Sequence, residues 1–113
     1  MKSQIEFKNG KPFISVNGKL HYPLAYTTYF EECGRFSNFI KHDYKMFFIN
    51  ISFTDLAINT TSNFSPFYTG VFENDEPDYS EFEGIVKKIL KECPDALIFP
   101  RINIAMPHSW EMV

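Results

Sequence analysis

The spacing of apolar and polar positions changes several times along this chain, and each change marks an element. Residues 5–22 are short runs of β-prone residues interrupted at Asn9-Gly10 and again at Asn17-Gly18, the dipeptide best suited to the positive φ angles of a tight hairpin turn. Three short strands in a meander are predicted, over residues 5–7, 12–16 and 19–22. After Pro23, residues 24–29 (Leu-Ala-Tyr-Thr-Thr-Tyr) are apolar and β-prone and predict a further strand. Cys33, Phe36 and Ile40 then repeat at helical spacing, which predicts a helix over residues 31–43. Residues 46–53 are nearly all apolar and read as a parallel strand covered on both faces.

The second helix has the clearest pattern. Asp78 stands as its cap, Glu81 completes a capping-box spacing, and Phe82, Ile85, Val86, Ile89 and Leu90 form one stripe that ends before Pro94. Residues 96–103 predict a third buried strand, and residues 104–113 a closing loop. The alternation strand, helix, strand, helix, strand implies right-handed crossovers onto a parallel sheet, in either a doubly wound sheet or a (β/α)8 barrel. A closed barrel needs about 250 residues. The 113 present supply two strand-helix units and a third strand, so the stop at Val113 reads as a truncation. Strands cut from a barrel would lack an opposite wall, and self-association is the expected remedy.

Composition narrows the classes. Hydrophobic residues at 44% and charged residues at 22% argue for one globular folding unit rather than a disordered chain. A formal charge of -3 with scattered Lys and Arg offers no basic stripe for a phosphate backbone, so nucleic acid is not an expected partner. No apolar run approaches the roughly 20 residues that span a bilayer, so no membrane partner is expected either. The amino terminus has no signal-peptide pattern, and a cytoplasmic location is expected, with Cys33 and Cys93 as free thiols. Thirteen Phe, six Tyr and one Trp exceed what a core of this size requires, and surplus aromatics often line binding surfaces.

Ligands of parallel α/β sheets bind at the carboxyl ends of the strands. The candidates there are Tyr26, Tyr29, Asp55, Arg101, Asn103, His108 and Trp110. They combine hydrogen-bond donors with flat apolar faces, which suits a sugar: hydroxyls take forked hydrogen bonds, and a pyranose face stacks on an aromatic ring. The same residues could equally cap the sheet. The connection over residues 54–77 far exceeds a usual βα loop; with Phe64, Phe67, Tyr68 and Phe72 it reads either as a substrate cover or as a packing flap. No Gly-rich phosphate loop is present, and no cofactor is expected. His21, His42 and His108 are isolated from one another, so no metal site is expected. A glycosidase needs two carboxyl groups about 5.5 Å or 6.5–9.5 Å apart; only Asp55 and Glu111 fall near the predicted site, and they nominate no catalytic pair.

Two segments bring a family into view. Residues 13–23 (Phe-Ile-Ser-Val-Asn-Gly-Lys-Leu-His-Tyr-Pro) resemble the hairpin that leads into the first strand of (β/α)8-barrel glycoside hydrolases. Cys93-Pro94-Asp95-Ala96, then Phe99-Pro100-Arg101-Ile102, then Met106-Pro107-His108-Ser109-Trp110 resemble the β-galactosidase-type enzymes of glycoside hydrolase families 42 and 35. The resemblance implies an α/β fold that is a partial (β/α)8 (TIM) barrel, its first three strands and two helices (24–113) preceded by a short antiparallel β-meander (1–23). It further implies that the full-length protein hydrolyses β-glycosides, β-galactosides among them, by a retaining two-Glu mechanism. Both glutamates would lie beyond Val113, so this chain alone is expected to be inactive, with Arg101 orienting a carboxylate or sugar hydroxyl and Trp110 walling a subsite. The alternative is a small non-catalytic carbohydrate-binding or structural α/β module.

Overall fold

Both Asn-Gly steps turn the chain as their chemistry dictates. Asn9 and Gly10 have φ of 52° and 73°, and Asn17 and Gly18 have 50° and 82°, the two successive positive angles of a two-residue hairpin turn. In the computed structural model, which describes residues 1–29, 33–54, 70–74, 76–106 and 110, these turns join β1 (Ser3–Lys8), β2 (Lys11–Val16) and β3 (Lys19–His21) into an antiparallel sheet. Phe13 packs on Tyr22 with ring centroids 4.9 Å apart. Ile5 and Phe7 remain exposed, so the meander has little core of its own.

A second sheet follows. Its strands β4 (Ala25–Thr27), β5 (Met46–Ser52) and β6 (Leu97–Asn103) are parallel and lie in the order β4-β5-β6. The connections carry α1 (Phe36–Lys41) and α2 (Ser80–Glu92). Tyr26, Phe47 and Ile98 share one register row, and side chains alternate between faces along a strand. That row faces the helices, where Phe47, Ile49 and Ile89 are fully buried among Tyr26, Phe36, Phe39, Ile40, Phe82 and Ile85. Each such buried side chain contributes about 1.5–3 kcal/mol. No helix of the described residues is long and apolar enough to cross a membrane.

The partial (β/α)8-barrel expectation is overturned. The described residues form two small three-stranded sheets and two helices, a mixed α/β arrangement. Among the described residues β6 stands at an edge of its sheet, and it carries Pro100 in its middle. Proline has no N–H to give a ladder, and within sheets it belongs to edge strands. β5 is covered on both faces along most of its length, as its apolar run predicts. Phe47 and Ile49 are buried under the helices, and Met46, Asn50 and Ser52 are buried on the other face, where Phe48, tilted against Phe99 at 5.4 Å, stays 40% exposed.

Two helix boundaries shift. The first helix is cut to six residues, beginning after Gly34 and Arg35. The N-cap residue of α2 is Tyr79, and Asp78 instead accepts a hydrogen bond from the Ser80 N–H at 2.8 Å. That hydrogen bonding to Ser80 lowers the Asp78 pKa.

At the amino end of the parallel sheet, Lys45 Nζ donates to Asp95 Oδ1 at 3.0 Å and to Cys93 Sγ at 3.5 Å. The Cys93 thiol donates to the same oxygen at 3.3 Å, and Lys19 lies 3.5 Å from Asp95. The Lys45 hydrogen bond, then that from Cys93, holds the Asp95 carboxyl down at about 2, while burial pushes the Cys93 thiol up. A depressed carboxyl contributes stability that is fully present above the unfolded-state value near 3.9 and is lost as pH falls through the folded value. The stability difference between wild type and Asp95→Asn is therefore expected to close between about pH 4 and pH 2. Carboxyl NMR titration checks it: a midpoint of about 2 that rises in Lys45→Met is expected, and an unshifted midpoint of 3.8 would show that the cluster does not form in solution.

Candidate functional site at the carboxyl end of the parallel sheet

On the sheet face away from the helices, the register places Phe48 beside Phe99, Asn50 beside Arg101 and Ser52 beside Asn103. The face thus changes from apolar to polar toward the carboxyl ends. Tyr29 follows β4 into this row: Arg101 Nη2 donates to its hydroxyl, and the guanidinium carbon lies 4.7 Å from its ring centroid. Between them Asn50 is 8% exposed and donates from Nδ2 to the Thr28 carbonyl. One row further on, Asn103 Nδ2 donates to Ser52 Oγ at 3.0 Å, and the Ser52 hydroxyl donates to the Thr54 carbonyl at 2.7 Å.

Beside this polar ladder the chain returns at residues 70–72. The N–H groups of Val71 and Phe72 donate to the carbonyls of Ser52 and Phe53 at 2.9 and 3.1 Å, and the Phe53 N–H donates to the Asn103 carbonyl at 3.1 Å. These bonds stand the Phe53 and Phe72 rings edge to face at 4.8 Å, with Trp110 5.4 Å from Phe72. Trp110 is half exposed. The carboxyl end of the sheet thus carries amide and guanidinium donors on one face and, joined to it through the Phe53 backbone, a stepped set of aromatic rings.

Of the residues singled out from the sequence, Tyr29 and Arg101 meet directly, Asn103 stands one row beyond, and Trp110 joins the aromatic set. Tyr26 is not part of this group. Its side chain lies on the helix face, stacked on Phe39 at 4.0 Å, and its hydroxyl accepts from the Arg35 N–H at 3.0 Å. Asp55 and His108 lie outside the described residues, as do Glu111 and most of the long connection with Phe64, Phe67 and Tyr68. Asn50 is a residue that sequence reasoning missed, while Ser52 begins the strand-end stretch 52–55 that it singles out. The signal for them was the period of two: Met46, Phe48, Asn50 and Ser52 alternate with Phe47, Ile49 and Ile51, which separates a partly polar face from an apolar one.

Among the described residues no group of three His, Cys, Asp or Glu side chains is placed to hold a metal ion. His21 and His42, far apart in sequence, line one cleft of about 350 Å³ with Tyr44 and Lys45, between the meander and the amino end of the parallel sheet. Both cysteines are free, Cys33 exposed and Cys93 buried. Compared with known proteins, the chain matches no family model, no curated protein and no solved structure.

Proposed function

We propose that the carboxyl end of the β4-β5-β6 sheet binds a saccharide. The observation that carries this reading is the half-exposed Trp110 ring set against Phe72, alongside the Arg101 and Asn103 donors. Sugars present hydroxyls that accept and donate in forks, and C–H faces that stack on aromatic rings; both complements occur at this end of the sheet. The likeness of the Arg101 and Trp110 segments to β-galactosidase-type hydrolases supports the same ligand class. Free thiols, one of them exposed, suit a reducing compartment such as the cytoplasm.

A second reading, favoured by the Arg-bearing strand in that likeness, gives this surface a part in β-glycoside hydrolysis by a longer protein. Both carboxyl groups of a retaining mechanism would then come from residues other than those named in the site.

Trp110 is the single tryptophan of the chain, so its emission reports on the site directly. Titration with a panel of β-linked oligosaccharides is expected to shift that emission saturably. By calorimetry, Trp110→Ala is expected to weaken binding about two- to tenfold, since ring stacking carries about 0.5–1.5 kcal/mol. Absence of both heat and emission change across the panel would return these aromatics to packing.

A further inference from the structure

Arg101 brings a cation to this face of the sheet. Of the positions that the strand registers place on the face away from the helices, it is the only one with an ionised side chain. Its side chain is exposed, and the ion pairs among the described residues do not include it. A guanidinium has five N–H donors, and the donation made here goes to the Tyr29 hydroxyl, a neutral acceptor. The Tyr29 ring under the guanidinium holds the cation without neutralising it. The planar fork is thereby oriented and left with donors to spare, next to the Asn103 amide. Such a fork matches a carboxylate, which can accept two parallel N–H bonds, better than a single hydroxyl.

We infer that the saccharide taken at this surface is acidic, carrying a uronic acid carboxylate on the Arg101 guanidinium; the inference rests on the saccharide reading above. Charge complementarity here is local, since the chain as a whole carries -3. On this sheet face the attraction for a carboxylate ligand comes from Arg101 and not from the general field, and it should weaken with salt.

A matched pair of probes tests it: a galacturonic acid trimer and the same trimer with its carboxyls reduced to give the neutral galactose trimer. Calorimetric titration of the full chain at low salt is expected to find the acidic trimer about tenfold or more tighter, with the gap narrowing as salt is raised. In Arg101→Gln the two affinities are expected to converge, and Arg101→Lys to restore part of the gap. Equal affinity of the two trimers for the wild type, or a gap that persists in Arg101→Gln, overturns the acidic preference and leaves the saccharide reading standing. Failure of both trimers and of the neutral β-linked panel overturns the reading on which it rests.

Discussion

Phe47→Ala is expected to lower the stability of the chain by about 3–5 kcal/mol, the usual cost of removing a buried phenyl ring. Phe47 is 0% exposed, lies in the central strand of the parallel sheet, and meets the edge of Phe36 at 6.0 Å. Neighbouring strands and two helices surround it, so the space it leaves cannot easily collapse. Against a total of about 5–15 kcal/mol for a domain of this kind, the loss places the variant near its unfolding threshold. Urea denaturation followed by circular dichroism measures it. Phe48→Ala makes the comparison sharp, because the next residue points to the other face and is 40% exposed. It should cost less than half as much. Equal losses would mean that the second face is packed as tightly as the first.

Gly70→Ala should damage stability and site together. A Cβ there would press on the Thr54 Cα, and would lie 2.7 Å from the Thr54 carbonyl carbon and 2.7 Å from Glu73 Oε1. The Glu73 side chain can swing away; the Thr54 backbone, belonging to a residue with 0% exposure, cannot. Forcing atoms into such a contact costs about 1–3 kcal/mol. The strain falls just before the Val71 and Phe72 backbone bonds to Ser52 and Phe53, so the Phe72 ring should leave Trp110 and the tryptophan emission should change in the ligand-free protein. Gly84→Ala is the control. It sits inside α2 with nothing within 4 Å of a new Cβ, and should stabilise by about 0.5–1 kcal/mol. A Gly70→Ala protein with unaltered melting and emission would show that the close approach to Thr54 is absent in solution.

What could be read in advance followed from local chemistry. The Asn-Gly pairs marked both hairpin turns because few other residues accept two positive φ angles. The Phe82 to Leu90 stripe marked α2 because a helix of that length buries one face. The barrel did not follow, because alternation of strands and helices leaves open how many strands assemble and whether the sheet closes. Pro100 carried information on that point, as a residue suited to an edge, and so did the alternation of Asn50 and Ser52 with Ile49 and Ile51. The run at 46–53 looks uniformly apolar only when its two faces are pooled. In the site, Arg101 and Asn103 were recognisable as donors near a strand end. Their partners were not, since Tyr29 lies 72 positions from Arg101 and Ser52 lies 51 from Asn103. Tyr26 was misplaced by its nearness to Tyr29: three residues along an extended segment put two side chains on opposite faces.

The two sheets should also form on different clocks. Each step of the meander closes over a two-residue turn, and hairpins of that kind form within about 1–10 μs. Pairing β5 with β6 must bring Met46 to Leu97, across roughly fifty residues, before any ladder bond repays the lost chain entropy. During refolding the amino-terminal strands should therefore gain hydrogen-exchange protection first, as a transient hairpin pair with Ile5 and Phe7 still in water, and the Arg101–Tyr29 contact should be among the last to form.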